Sequence, residues 1–221
     1  MKRIIITGAS DGLGKEFAKL CVAEQIEIVS LSRSKPDYPC VHIPTDLTKD
    51  TSIAAAANLI KQKYAAFDAL VNCAGVFSEQ AADEITYDEL EVSMKVNSLA
   101  PIFLTSQLFD LIKKNEADIL NVGTTAIFKG YTNQCTYSSS KWAIRGTSLS
   151  LQAELAKTKC RVIHFNPGGM NTKFYDKYNG DKRADPKNWM NPLDVAAVML
   201  YTLKLPKQLE VSEITINRKS L

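Results

Sequence analysis

Tyr137 and Lys141 stand four residues apart in the stretch CTYSSSKWAI, residues 135–144. On a helix, that spacing sets two side chains on one face. A phenol left alone ionises near pH ~10, too high for acid–base work at neutral pH. An ammonium group beside it favours the phenolate and brings its pKa toward the working range. The pair can therefore act as a proton-transfer unit, provided that other elements bring a reacting molecule to it.

Those elements follow a regular order. Short apolar runs (RIIIT, IEIVSLS, CVHIP, DALVN, ADILNVG, CRVIHFN, EVSEITIN) read as strands. Between them, segments of helical periodicity cover 13–24, SIAAAANLIKQKY, 87–114, YSSSKWAIRGTSLSLQAELA and PLDVAAVMLYTLKL. Continuous β-branched runs without alternation suggest strands covered on both faces, as in a parallel sheet. Strand–helix alternation with right-handed crossovers predicts a Rossmann-type, doubly wound α/β fold with helices on both faces of the sheet. A length of 221 residues suits one such domain.

One segment breaks the order. KFYDKYNGDKRADPKNWMNP, 173–192, is polar and carries Gly180 and Pro186, yet contains Phe174, Tyr175, Tyr178 and Trp189. So long a connection, with aromatics inside it, is expected to be a lid over the active site. Its rings hint at an apolar or ring-bearing substrate.

The totals exclude other classes. Hydrophobic residues at 45% and charged residues at 23% are ordinary for a globular protein. A net charge of +3 from scattered basic residues argues against a nucleic-acid or membrane-surface partner. The five cysteines, at 21, 40, 73, 135 and 160, show no close pair and no metal-ligand spacing. They read as reduced thiols of a cytoplasmic protein. His42 and His164 sit in strand-like runs as packing or hydrogen-bonding residues, so no metal site is expected. The apolar run in MKRIIITGAS is too short for a signal peptide, and none approaches the ~18 residues of a membrane span.

The first strand runs straight into TGASDGLGKEF. Gly8, Gly12 and Gly14 allow a tight turn and a close approach of backbone N–H groups to a pyrophosphate. Ser10, Asp11 and Leu13 lie along the same turn, and a helix beginning there adds its positive end. Ligands of such folds sit beyond the C-terminal ends of the strands. Strand two ends in SLSRS, with Ser32 and Arg33 and no carboxylate for a ribose 2′-hydroxyl. An arginine there suits a 2′-phosphate, so NADP(H) is expected over NAD(H). Asp46 and Leu47 of TDL fall near the adenine. In NCAG, Asn72 offers amide hydrogen bonds, and Ala74 and Gly75 leave room for a ribose. The turn NPGGMNT, with Pro167, Gly168, Met170 and Thr172, can bring N–H groups to a nicotinamide amide.

With these residues in place, the sequence resembles the short-chain dehydrogenase/reductase family over essentially its whole length. The family's T-G-x-x-x-G-x-G is met by Thr7, Gly8, Gly12 and Gly14, and its N-N-A-G by NCAG, with Cys73 in place of the second asparagine. Asn97 in MKVNSLAP, the Tyr137/Lys141 pair, and Pro167, Gly168 and Thr172 complete the match. The family usually has a serine thirteen residues before the tyrosine; here that position is Thr124. Threonine keeps the hydroxyl while its extra methyl restricts χ1. Thr125 is the weaker stand-in, because neighbours on a strand point to opposite sides.

The resemblance implies roles. Tyr137 donates a proton to a carbonyl oxygen as hydride arrives from the cofactor. Lys141 lowers the tyrosine's pKa and bonds the nicotinamide ribose. Thr124 holds the oxygen, and Asn97 anchors a water leading from Lys141 to solvent. The expected function is interconversion of a small-molecule carbonyl and alcohol. The alternative is a nucleotide-binding regulatory or scaffold protein of the same fold without useful turnover. Relatives often pair through the helices flanking strand five, which implies a homodimer or homotetramer.

Overall fold

Three consecutive isoleucines in β1 (Arg3–Thr7) are divided by the strand's pleat. Ile4 and Ile6 enter one core and Ile5 the other, all fully buried. A computed structural model describes residues 1–176 and 189–219. It arranges them around a seven-stranded sheet of order β3–β2–β1–β4–β5–β6–β7, every neighbouring pair parallel. The other strands are β2 (Glu27–Ser32), β3 (Val41–Pro44), β4 (Ala69–Asn72), β5 (Asp118–Val122), β6 (Val162–Pro167) and β7 (Glu213–Ile216). On one face, α1 (Gly12–Ala23) and α6 (Pro192–Lys204) contribute Phe17, Ala18, Val195 and Met199 to the core with Ile4 and Ile6. On the other, α2 (Asp50–Lys63), α4 (Ala100–Asn115) and α5 (Cys135–Leu155) contribute Ile53, Ile60, Leu104, Leu108 and Leu155. The expected doubly wound, Rossmann-type single domain is the observed one. Its strand order reverses between β1 and β4, and that reversal opens a crevice beyond the strands' C-terminal ends.

The tract expected to be helical over 87–114 is continuous helix with one wide turn. Helix α3 (Tyr87–Met94) passes through a π-helical turn, Lys95–Leu99, into α4. Pro101 has no N–H to offer the Asn97 carbonyl. The Ala100 N–H reaches back five residues to the Lys95 carbonyl. Single π turns of this kind gather at functional sites, and this one carries Asn97.

Toward the crevice, the face that packs on α4 and α5 changes from apolar to polar. Leu70 gives way to Asn72, Ile119 to Asn121, and Val162 to His164 and Asn166. Asn72 Nδ2 donates to Asn121 Oδ1 at 2.8 Å, Asn121 Nδ2 to Ser148 Oγ at 3.0 Å, and Ser148 Oγ lies 3.0 Å from His164 Nδ1. Burial pushes the His164 imidazole down to about 4, so it is neutral at physiological pH. At the far end of β5, Asp118 is 1% exposed and held by Arg161, whose Nε and Nη2 meet its two oxygens at 3.2 and 2.7 Å. The same guanidinium donates to the carbonyls of Leu203, Leu205, Pro206 and Leu209. Among the described residues, no helix is long and apolar enough to cross a membrane. No cluster of His, Cys, Asp or Glu there could hold a metal ion.

Candidate active site

The turn after β1 is shaped by glycine where nothing else fits. Gly8 has φ +74°, and a Cβ there would lie 2.6 Å from the Ala74 Cα. A Cβ on Gly14 would lie 2.3 Å from the Gly8 carbonyl oxygen. Thr7 ties this turn to the one after β4, its Oγ1 accepting from the N–H groups of Cys73 and Ala74 at 3.1 and 3.2 Å. Asp11 caps α1 by accepting from the Gly12 N–H at 2.8 Å, and Leu13 and Gly14 follow on the crevice wall. First-turn amides of a helix lack intrahelical partners and present partial positive charge. A Gly8→Ala protein is expected to lose about 2 kcal/mol or more of stability, from a non-glycine residue at positive φ and a contact too close to relax. Urea denaturation checks the loss, and NADPH affinity should fall with it.

One cavity of about 580 Å³ runs along the strand ends, a volume ordinary for cofactor and ligand sites. Its wall includes Gly8, Ser10, Asp11, Gly12, Leu13 and Gly14, then Ser32, Arg33, Asp46 and Leu47. It continues past Ala74 and Gly75 to Thr124, Tyr137 and Lys141, and closes with Pro167, Gly168, Met170 and Thr172. Two predicted site residues are not on that wall. Asn72 lies buried at the end of the central strand β4, and its Nδ2 donates to Asn121 Oδ1, so the donor half of its amide is engaged between strands and not on the wall. Asn97 grips Val76 by both its N–H and its carbonyl, at 2.8 and 2.9 Å, and meets the hydroxyls of Ser93 and Ser140. It holds the loop after β4 from behind.

Thr124, Tyr137 and Lys141 are all buried. Thr124 leaves β5 in extended conformation, its hydroxyl accepting from the Ala126 N–H at 3.3 Å and lying near enough to the Tyr137 phenol to favour its ionised form. Thr125 is not on the wall. The ammonium of Lys141 donates to the Val122 carbonyl at 2.8 Å, and burial pushes its pKa down to about 8 against the opposing pull of Cys73. Tyr137 is shifted the other way from the expectation. Burial first, and then Tyr175, push the phenol above its ordinary value, while the neighbouring Thr124 hydroxyl acts against them. The Lys141 ammonium, turned to the Val122 carbonyl, is not among the causes of that shift.

Aromatic rings cover this end. Phe77 meets Tyr137 edge-on at 5.0 Å, Tyr175 meets Phe77 at 4.9 Å, and Phe174 lies 6.1 Å from Tyr137. Trp189 continues the cluster, 5.0 Å from Tyr175. At the base of the 173–192 segment, the Asn171 N–H donates to the Met190 carbonyl and the Met190 N–H to that of Gly169. Tyr178, Gly180 and Pro186 of the expected lid lie outside the described residues.

The sequence reading missed Phe77, Val92 and Val96 on the apolar wall. They follow β4 and lie on α3 and the π turn, where no local pattern marks them. It also missed the layer of Asn121, Ser148 and Asn166. The signal there was an asparagine near the C-terminal end of each of two largely apolar strands, DILNV and VIHFNP.

A parallel sheet with a glycine-lined crevice at its reversal point, and small residues along the mouth, defines a Rossmann-type nucleotide-binding protein. Within that class, residues 2–183 match the short chain dehydrogenase family model, and the chain belongs to this family of oxidoreductases. It is 26% identical to an uncharacterized oxidoreductase of Staphylococcus aureus strain MRSA252, over 97% of this chain and 96% of the relative. Its fold is similar to that of an alcohol dehydrogenase from the archaeon Thermococcus sibiricus, complexed with 5-hydroxy-NADP. That match has a TM-score of 0.88 and 22% identity over the whole of both chains. A 3-ketoacyl-(acyl-carrier-protein) reductase from Brucella melitensis, complexed with NADH, matches with a TM-score of 0.83 and 24% identity, over 97% and 96% of the two chains.

Proposed function

We propose that this protein interconverts a carbonyl and an alcohol with NADP(H), using Tyr137 as the proton donor and acceptor. The observation that carries the reading is one continuous crevice with a glycine turn and Arg33 at one end and buried Tyr137, Thr124 and Lys141 at the other. Gly75 leaves the wall beside Lys141 bare, as a nucleotide lying there would need: a Cβ would stand 3.3 Å from Asn97 Oδ1, 3.5 Å from the Phe174 ring and 3.6 Å from the Lys141 Nζ. Gly8, Gly12 and the start of α1 would hold the pyrophosphate, and Arg33 with Ser32 the 2′-phosphate. The cofactor supplies the hydride when bound. Burial keeps the Tyr137 phenol protonated, which suits a donor to a carbonyl oxygen gaining negative charge. The Thr124 hydroxyl holds that oxygen. Lys141 keeps a positive charge near the site below pH about 8.

The substrate end favours an uncharged, flat or apolar molecule. Phe77, Val92, Val96, Phe174 and Tyr175 line it with Tyr137. Carboxylates or sugar hydroxyls buried there would lose hydration against a wall whose Phe and Val side chains offer no return bonds and whose two phenols offer few. Phe174, Tyr175 and Trp189 support a lid role for 173–192, because these described ends already lie over Tyr137. Exposed Leu99, Ile102, Trp142 and Leu149, around α4 and α5, suit pairing of copies into a homodimer or homotetramer. Five free cysteines suit a cytoplasmic location.

Fluorescence titration with NADPH and NADH, followed by a carbonyl panel, tests the reading. NADPH should bind more tightly, and Arg33→Ala should weaken it roughly tenfold while leaving NADH unchanged, the effect of one lost charge-assisted contact. A preference for NADH in the wild type contradicts the role of Arg33. Aryl ketones and aldehydes should be reduced faster than aldoses or 2-oxo acids. NADPH binding with no turnover of any panel member selects the rival reading, a nucleotide-binding regulator, which the engagement of Lys141 with Val122 favours.

A further inference from the structure

Thr124 has a second support, reaching it from the far side of β6. Its backbone N–H donates to Asn166 Oδ1 at 3.2 Å. Asn166 Nδ2 donates to Glu213 Oε1 at 2.7 Å, and Glu213, on edge strand β7, is held by the Arg145 guanidinium at 3.1 and 3.2 Å. Asn166 is fully buried. An asparagine is the residue such a link needs, with an acceptor for the N–H on one side and a donor for the carboxylate on the other. The neighbouring glycine makes room for it. A Cβ on Gly123 would lie 2.3 Å from Asn166 Oδ1 and 2.5 Å from His164 Nε2. Gly123 is not at positive φ, so its lack of a side chain serves this approach and not a turn.

We infer that Asn166, braced by Glu213 and Arg145, is a positioning residue that fixes Thr124 at the angle from which its hydroxyl meets Tyr137 and the substrate oxygen. The inference rests on the carbonyl-reductase reading given above. The Ala126 N–H holds the Thr124 hydroxyl from within the local chain. Asn166 holds the Thr124 N–H from a different strand. The link ties the site to the outermost strand of the sheet, so a disturbance at β7 reaches the catalytic threonine through two side chains.

Three variants test this, each assayed with a reducible carbonyl and checked for folding by thermal melting. Asn166→Ala should lower kcat roughly ten- to a hundredfold, the loss that follows when a reacting group is displaced by about an ångström, with NADPH affinity within twofold of wild type. Hydrogen exchange at the Thr124 amide should accelerate in the same protein. Asn166→Asp keeps an acceptor for Thr124 but sets a carboxylate against Glu213. The charged groups around it are Glu213 from β7, Arg145 and Lys141 from α5, and His164 from β6, the last held neutral. The facing carboxylate and the burial disfavour ionisation of the introduced group, raising its pKa. Activity should therefore return as pH falls on the acid side of the Lys141 titration and the protonated acid regains a donor toward Glu213, a range over which wild type and Asn166→Ala stay level. Adding Glu213→Gln to Asn166→Asp should restore the wild-type pH profile, because the new amide can donate to the carboxylate. If Asn166→Ala does not fold, Glu213→Ala on the partly exposed edge strand should show a severalfold loss of kcat and faster Thr124 amide exchange. A folded Asn166→Ala protein with wild-type kcat overturns the inference. So does an equal loss of NADPH affinity, or a flat pH profile for Asn166→Asp. If wild type reduces nothing but Thr124 exchange still depends on Asn166, the reductase reading has failed while the clamp stands.

Discussion

A Tyr137→Phe protein is expected to bind NADPH within a few-fold of wild type and to reduce carbonyls some 10² to 10⁴ times more slowly, the range over which a positioned acid contributes. The ring contacts with Phe77 and Phe174 do not involve the hydroxyl, so the fold should survive. The loss of the buried hydroxyl should cost only about 1 kcal/mol. Single-turnover measurement with prebound NADPH separates chemistry from binding. The pH dependence gives a second reading of the same machinery. Lys141 is protonated below about 8 and loses its charge above it. Wild-type reduction should hold on the acid side of that value and fall on the alkaline side, and Lys141→Met should lack the alkaline fall. Equal turnover by wild type and Tyr137→Phe would remove the phenol from the mechanism.

The largest effect on stability is expected at the opposite end of the sheet. Arg161→Met leaves the Asp118 carboxylate 1% exposed with Lys207 as its remaining cation, and strips donors from four carbonyls. Breaking a buried pair from one side costs about 3–5 kcal/mol, and Lys207 places this case near the lower figure. For a domain of this size the melting temperature should drop by roughly 6–12 °C. Adding Asp118→Leu should recover part of the loss, since the buried charge then goes with its partner. A melting temperature unchanged in Arg161→Met would show that water reaches Asp118 and that the pair is not buried in solution. Neither variant touches the crevice, so NADPH affinity at low temperature should be preserved.

These cases differ in how far the sequence foretold them. The strands, the helices and the glycine turn were legible because their signals are local. A run such as RIIIT or a glycine before a helix start states its own geometry. Chirality and alternation pointed to a doubly wound parallel sheet, while the order of its strands appears only in the folded chain. Side-chain direction was not legible. Lys141 and Tyr137 share a helix face as the spacing requires, yet the ammonium turns to the Val122 carbonyl, a partner supplied by a strand nineteen residues away in sequence. Asn72 and Asn97 stand where strand ends and helix periodicity put them, but each spends its amide on protein groups behind the wall. Asn166 carried a visible anomaly, a polar residue in an apolar strand. Its meaning depended on Glu213 and Thr124, which only the assembled sheet brings near.

The wide turn at Lys95–Leu99 sets a limit on how this chain can vary. An α-helix rotates by about 100° per residue, so the phase of α3 relative to α4 is fixed by the length of that turn. Losing one residue from it would swing Val92 off the cavity wall and unhook Asn97 from Val76, even if every remaining side chain were kept. Along this stretch the chain should accept substitutions far more readily than insertions or deletions.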